Sequence, residues 1–202
     1  MEESGLIFVT GGARSGKSSF AEWLTCKIAS DYGGDLHYIA TCRPADDEMR
    51  NRINRHQLER KESAFEWKTW ECPTDIQSLI PFFKKEDIVL LDCLTILLTN
   101  ELFQDEHSWK HNDFQEQVIE SILTGIEVIE QKVQAFVIVS NDVLNENIFD
   151  RSLVQTYGRL LGCLHQQIVK KARKAFLVES GIPVLMKGGR LDERAYDTWN
   201  GF

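Results

Sequence analysis

Residues 11–18 read GGARSGKS and are the most informative stretch of the chain. They fill every fixed position of the pattern G-x-x-x-x-G-K-[ST], after the apolar run 6–10 and before a helical pattern. Glycines let the backbone turn tightly and approach a ligand, so that N–H groups and a helix N-terminus face polyphosphate oxygens. Lys17 is then expected to reach the β- and γ-phosphates, and the Ser18 hydroxyl to ligate Mg²⁺. The alternative, a glycine-rich turn that binds nothing, does not explain why Lys and Ser follow the last glycine.

Continuous apolar runs recur along the chain and predict buried strands. They lie at 6–10, 36–40, 88–92, 135–140 and 175–179, with a short edge candidate at 184–186. Such runs suit strands that are buried on both faces of a parallel sheet. Apolar residues at helical spacing predict helices over 18–30, 113–131 and 152–174. The predicted class is therefore α/β, a doubly wound, mostly parallel sheet of P-loop NTPase type, with residues 1–202 forming a single nucleotide-binding domain.

Composition narrows the range of partners. The 202 residues fit one domain of ordinary size. Lys and Arg number 23 against 31 Asp and Glu, and the net charge of -8 argues against nucleic acid or an anionic membrane as the main partner. The five cysteines show no metal-finger spacing, and Cys26 and Cys93 lie in apolar runs, which indicates reduced thiols and a cytoplasmic location. No membrane span or secretory signal is expected from the sequence.

Asp92 closes the apolar run that begins at Ile88. A carboxylate directly after a buried strand is typical of the residue that orients the metal beside a phosphate-binding loop, the Walker B site. The alternative is an aspartate that caps the next helix. The loop at 11–18 favours the metal role.

A second informative region follows the acidic stretch 46–48. If this region is helical, Arg52, His56 and Arg60 are spaced four apart and project from one face. Two flanking cations would attract a phosphate and disfavour protonation of His56, keeping the imidazole nucleophilic. A solvated helix face of mixed charge is the alternative, and spacing alone favours it.

The other histidines give weaker signals. His107 and His111 lie four apart, but no third ligand is evident, so a polar helix start is expected rather than a metal site. His37 and His165 lie in apolar surroundings and are expected to be core residues with hydrogen-bond partners.

Several motifs in a fixed order give the chain a specific resemblance. Beyond GGARSGKS they are YIAT at 38–41, DDEM at 46–49 with Arg52, Ile53, His56 and Arg60, W-x-T-x-E at 67–71, DCLT at 92–95 and SNDV at 140–143. With this set the chain resembles the bifunctional adenosylcobinamide kinase/adenosylcobinamide-phosphate guanylyltransferases of cobalamin biosynthesis. The resemblance implies γ-phosphoryl transfer from ATP or GTP to adenosylcobinamide, then GMP transfer from GTP through a histidine adduct to give adenosylcobinamide-GDP. It also implies Mg²⁺ as cofactor, small-molecule substrates and a homotrimer.

The resemblance and the loop motif together give a set of candidate site residues. His56 and Lys17 are expected to be catalytic, and Ser18 and Asp92 to ligate the metal. The expected nucleotide-binding residues are Gly11, Gly12, Ala13, Arg14, Ser15, Gly16, Lys17, Ser18, Ala40, Thr41, Cys42, Arg52, Gln57, Arg60, Glu71 and Asp92.

One stretch departs from the family pattern. After residue 143 the family carries a glycine-rich loop, whereas residues 144–149 read LNENIF. Glycines permit close ligand approach or positive φ, which larger side chains do not. A weakened corrinoid step with normal nucleotide binding is therefore predicted. A plain small-molecule kinase and a non-catalytic nucleotide-binding protein are the competing interpretations.

Overall fold

The computed structural model describes residues 5–42, 65–105, 107–142 and 151–189. Within these ranges, strands and helices alternate along the chain. The strands are β1 Gly5–Gly11, β2 Leu36–Ala40, β3 Trp67–Glu71, β4 Ile88–Asp92, β5 Ala135–Asn141, β6 Lys174–Glu179 and β7 Ile182–Lys187. The α-helices are α1 Lys17–Tyr32, α2 Leu94–Leu102, α3 Asn112–Lys132 and α4 Arg151–Lys171, with short 3-10 helices at Ile76–Phe82 and Ser108–Lys110.

The strands form one sheet in the order β3-β2-β4-β5-β1-β6-β7. All pairs from β3 to β6 are parallel, and only the edge strand β7 runs antiparallel. A two-residue turn makes the reversal into β7, and Ser180 and Gly181 both have positive φ there (50° and 79°), as a tight hairpin requires. The carboxyl ends of the six parallel strands therefore share one edge of the sheet, where ligands bind in such folds.

Each face of the sheet is covered by helices. On one face α1 packs Phe20, Leu24 and Ile28 against the strands. On the other face the apolar sides of α2, α3 and α4 form a second cluster. Because both faces are buried, the central strands consist almost entirely of apolar residues; the first four residues of β4 are all fully buried. The doubly wound, mostly parallel α/β class predicted from the sequence is confirmed.

Two helix predictions need correction. The predicted helix 152–174 ends at Lys171, because the backbone N–H of Arg173 donates to the carbonyl of Leu6 (2.8 Å) and Lys174 begins β6. The helix Leu94–Leu102 was not predicted. It has only nine residues, about two and a half turns, so too few positions repeat for helical spacing to be recognised in its sequence.

The described helices include none that is long and apolar enough to cross a membrane. All five cysteines are free. Burial raises the pKa of the Cys26 thiol to about 11, so it remains protonated at neutral pH, as predicted for a reduced core thiol.

Candidate active site

The loop between β1 and α1 is shaped by close backbone approaches. A Cβ atom on Gly11 would lie 2.3 Å from the carbonyl oxygen of Val178 and 2.6 Å from Oγ of Ser15, so only glycine fits at this position. Arg14 (φ 59°) and Gly16 (φ 88°) adopt left-handed conformations that turn the chain into α1. The loop therefore curls back above the carboxyl end of β1.

Lys17 and its neighbours face the interior of this loop. The Lys17 ammonium donates a hydrogen bond to the carbonyl of Gly12 (3.0 Å), and only 4% of the residue is exposed. The hydroxyl of Ser15 is buried and has no hydrogen-bond partner among the described residues. A buried, unpartnered hydroxyl beside a buried ammonium suits an anionic oxygen ligand, because leaving such a group unpaired costs about 1–3 kcal/mol.

Asp92 lies at the carboxyl end of β4, on the face that α1 covers. The preceding alternate residue, Leu90, belongs to the α1-side cluster, and side chains two apart along a strand share a face. Burial raises the pKa of the neighbouring Cys93 thiol to about 12; the Asp92 carboxylate acts in the same direction, and Lys17 opposes it. The loop lysine and Asp92 are thus both within electrostatic reach of Cys93.

Three of the predicted nucleotide-binding residues form a row. Glu71, Ala40 and Asp92 end three adjacent strands, and Ala40 is in register with both of the others. Cys42 is two residues beyond the end of β2, and the loop 11–18 follows β1 at the same edge. The structure therefore brings these predicted residues to one edge of the sheet.

The ends of β2 and β4 are fastened to each other by Thr41. Its hydroxyl accepts from the N–H of Cys93 (2.8 Å) and donates to the carbonyl of the same residue (2.9 Å). Its N–H donates to the carbonyl of Asp92 (3.1 Å). The Asn100 amide extends the connection to β3 by donating to the carbonyls of Thr41 and Pro73, both at 2.9 Å. The backbone beneath the row of Glu71, Ala40 and Asp92 is therefore held in place.

The end of β5, which lies between β1 and β4, is also held by hydrogen bonds. The hydroxyl of Thr95 lies 3.2 Å from that of Ser140 and accepts from the N–H of Asn141 (2.8 Å). The Ser140 hydroxyl in turn lies 2.8 Å from Nε2 of His165. Burial lowers the pKa of His165. The N–H of Asp142 donates to the carbonyl of Gly11 (3.0 Å) and ties β5 to the start of the loop.

His37 is buried and His165 is partly buried, and both have the polar partners that were predicted. Nδ1 of His37 accepts from the indole N–H of Trp70 (2.9 Å), and Nε2 lies 3.0 Å from a carboxylate oxygen of Asp87. Asp35, His37 and Asp87 are close enough to suggest a metal site. However, a neutral imidazole that accepts at Nδ1 carries its proton on Nε2, so it offers no lone pair to a metal. His107 and His111 lie at helix starts, and they belong to no candidate metal cluster within the described ranges.

Four predicted residues lie outside the described residues. They are Arg52, His56, Gln57 and Arg60, and residues 144–149 lie outside them as well. Conversely, sequence reasoning missed the part that Tyr38 plays. Its hydroxyl donates to Oδ2 of Asp92 at 2.9 Å. The YIAT motif singles out this tyrosine, but only the register between β2 and β4 shows what it contacts.

The motifs recognised in the sequence all belong to the pattern of one protein family. The model of the cobinamide kinase / cobinamide phosphate guanyltransferase family, CobU, matches residues 7–186. The chain belongs to this family. It is 32% identical over 188 residues to the bifunctional adenosylcobalamin biosynthesis protein CobU of Escherichia coli, covering 90% of this chain and 99% of that protein. Its identity to the bifunctional adenosylcobalamin biosynthesis protein CobP of Pseudomonas aeruginosa is 29%, over 89% of this chain and 96% of that protein.

Membership confirms the prediction of a bifunctional transferase in cobalamin biosynthesis, an adenosylcobinamide kinase and guanylyltransferase. Its substrates are small molecules and include nucleotides. Among solved structures, the flagellar accessory protein FlaH from Methanocaldococcus jannaschii is similar with a TM-score of 0.44 and 11% identity, covering 92% of this chain and 79% of that chain.

Proposed function

We propose that this chain transfers the γ-phosphoryl group of ATP or GTP to adenosylcobinamide and then transfers GMP from GTP to the phosphorylated product. The observation that carries the proposal is the juxtaposition of the buried Lys17 and the unpartnered Ser15 hydroxyl in the loop with Asp92 on the α1 side of the same sheet edge. That arrangement belongs to a chain whose family is defined by these two reactions.

In the kinase step, an oxygen of the substrate's hydroxyl attacks the γ-phosphorus. The bond from this phosphorus to the bridging oxygen breaks, the nucleoside diphosphate leaves, and the hydroxyl proton passes to solvent. The Lys17 ammonium stabilises the charge that develops on the β- and γ-phosphate oxygens. Backbone N–H groups of residues 11–18 hold the phosphates, with the Ser15 hydroxyl as a further donor.

The residues present fit a magnesium ion. Ser18 in the first turn of α1 and Asp92 on the face covered by α1 offer hydroxyl and carboxylate oxygens, the hard ligands that Mg²⁺ prefers. When bound, Mg²⁺ neutralises charge on the phosphates. Ser18 and Asp92 are the residues that would hold it.

In the guanylyl step, His56 is proposed as the nucleophile. A neutral imidazole nitrogen attacks the α-phosphorus of GTP and pyrophosphate leaves; a phosphate oxygen of the first product then displaces the histidine, giving adenosylcobinamide-GDP. Arg52 and Arg60, four residues to either side, support this role because cations stabilise the α-phosphate. The further nucleotide contacts proposed are Ala40, Thr41, Cys42, Gln57 and Glu71.

Three properties of the whole protein complete the proposal. Residues 1–202 form a single nucleotide-binding domain, the enzyme acts in the cytoplasm, and it assembles as a homotrimer. The net charge of -8 supports small molecules rather than nucleic acid as partners.

Incubation with radiolabelled GTP, followed by a denaturing gel and mass analysis of peptides, tests the two-step function. GTP labelled at the α-phosphate should add one GMP to the peptide that contains His56, through an acid-labile bond, and His56→Ala should remove the label while keeping kinase activity. Label on another peptide would contradict the assignment of His56. Kinase activity without any label would favour a plain small-molecule kinase, and nucleotide binding without turnover would favour a non-catalytic protein.

A further inference from the structure

A buried phenol contacts the carboxylate that closes β4. The hydroxyl of Tyr38 donates a hydrogen bond to Oδ2 of Asp92 at 2.9 Å, and only 6% of Tyr38 is exposed. We infer that Tyr38 is a positioning residue, which orients the Asp92 carboxylate for the divalent cation that accompanies the nucleotide. This inference rests on the metal role proposed for Asp92.

The contact follows from the register of two parallel strands. Tyr38 pairs with Leu90, and Asp92 lies two residues further along β4, opposite Ala40. The two side chains are thus diagonal neighbours on one face, within reach of a long aromatic side chain. Ala40 has only a methyl group, which leaves the space beside Asp92 open to the phenol.

The tyrosine ring is itself held in place. It lies edge-on to the indole of Trp67 on the neighbouring strand, with ring centroids 6.2 Å apart. Tyr38 belongs to the same buried cluster as Leu90, beneath α1. A fixed ring delivers its hydroxyl to one position, so the hydrogen bond restrains rotation of the carboxylate.

The chemistry of the pair leaves one oxygen available. A carboxylate has two oxygens with about four acceptor sites, and the phenol occupies one of them on Oδ2. Hydrogen bonds of this kind orient metal-binding carboxylates, and their loss typically weakens metal affinity by about 10- to 100-fold.

The test is a titration of Mn²⁺ into the complex of the full chain with a non-hydrolysable GTP analogue, followed by the electron paramagnetic resonance signal of free Mn²⁺. Tyr38→Phe keeps the ring and removes only the hydroxyl. We expect Mn²⁺ affinity to fall by about 10- to 100-fold. Affinity for the analogue in EDTA should stay within about twofold, and raising Mg²⁺ should restore the kinase rate.

Tyr157→Phe is the matched control. It also removes a phenol hydroxyl that donates a hydrogen bond near the carboxyl end of the sheet, in this case to the carbonyl of Thr95 (2.8 Å). This control should leave Mn²⁺ affinity unchanged. Melting curves of both variants report whether either substitution disturbs the fold.

Two results would overturn the inference. One is unchanged Mn²⁺ affinity in Tyr38→Phe; the other is an equal loss of metal affinity and of metal-free nucleotide affinity, which would indicate a general structural role. The variant Asp92→Asn distinguishes failure of the inference about Tyr38 from failure of the proposed metal role of Asp92. If Asp92→Asn weakens Mn²⁺ binding and Tyr38→Phe does not, only the inference about Tyr38 fails. If Asp92→Asn itself leaves Mn²⁺ binding unchanged, the metal role of Asp92 fails.

Discussion

Replacing Gly11 by alanine tests the close approach between the loop and β6. The added Cβ would lie 2.3 Å from the carbonyl oxygen of Val178, although contacts below 3.0 Å are essentially never seen, so one backbone has to move by about 0.7 Å. β1 is hydrogen-bonded to β5 on one side and to β6 on the other, which resists the movement. Overpacking of this kind costs about 1–3 kcal/mol. In a chain of this size we expect the melting temperature to fall by roughly 2–12 °C.

Gly12→Ala is the matched control, measured beside Gly11→Ala by differential scanning calorimetry without ligand. No heavy atom of the residues that the structure describes lies within 4 Å of a Cβ built on Gly12, so the melting temperature of this variant should stay near that of the wild type. The displaced loop of Gly11→Ala should also weaken nucleotide binding in isothermal titration calorimetry below the unfolding transition. Equal melting temperatures for the two variants would show that the loop relaxes freely, and the argument from the close approach would be wrong.

Three further predictions follow from other parts of the chain. Lys17→Ala should lower the kinase rate by about 10²–10³-fold without unfolding the protein, because it removes one preorganised charge; a folded variant with near wild-type steady-state kinetics would contradict this. Burial lowers the pKa of His37, so the unfolded state binds the extra proton and the free energy of unfolding should fall as pH drops through about 6.5. Urea titrations from pH 8 to 5.5 should show a shallower decline in His37→Asn, and an unchanged slope would refute the assignment. Restoring glycine at Leu144 and Glu146 should strengthen adenosylcobinamide binding and leave GTP binding unchanged in separate calorimetric titrations; tight binding and full turnover by the wild type would show that the departure from the family pattern is tolerated.

The central strands could be predicted from the sequence because both of their faces are buried. The run 88–92 coincides with β4, and the run 36–40 coincides with β2. β3 was not among the predicted apolar runs, because Lys68, Thr69 and Glu71 are exposed in this edge strand. Continuous burial leaves a clear signal in sequence. Of the two edge strands, only β7 was anticipated, through the short apolar run at 184–186.

Contacts between strands distant in sequence could not be predicted. The loop motif and the carboxylate that closes β4 were both recognisable, but the order of the strands places β5 between them. The hydrogen bond from Tyr38 to Asp92 joins residues 54 apart and depends on a register that no local pattern encodes. Similarly, Asn100 follows the motif DCLT, yet its bonds to Thr41 and Pro73 appear only once three strands are aligned.

The loop 11–18 and Asp92 lie at the same edge of the sheet, but β5 separates the strands that carry them. Adjacent strands lie about 4.8 Å apart, so β1 and β4, separated by β5, are roughly 10 Å apart. The loop does not bridge this distance by itself. α1 does so, because it packs across β5 and β4 as well as β1, and its first turn carries Ser18. Asp92 lies on the side of the sheet that α1 covers, and Ser18 lies in the first turn of that helix.

The same edge also bears on the proposed guanylyl step. Cys42, the last described residue before the segment that contains His56, follows directly on Thr41, which is bonded to the backbone of Cys93 next to Asp92. The kinase product is the acceptor for GMP, so the two reactions act on the same arm of the substrate in turn. If the proposed roles hold, the segment that contains His56 follows the end of β2 in sequence, and that strand end lies beside Asp92, the carboxylate of the kinase step. The strand ends that Thr41 and Asn100 fasten together would then support both reactions, and loosening them should impair both rates rather than one.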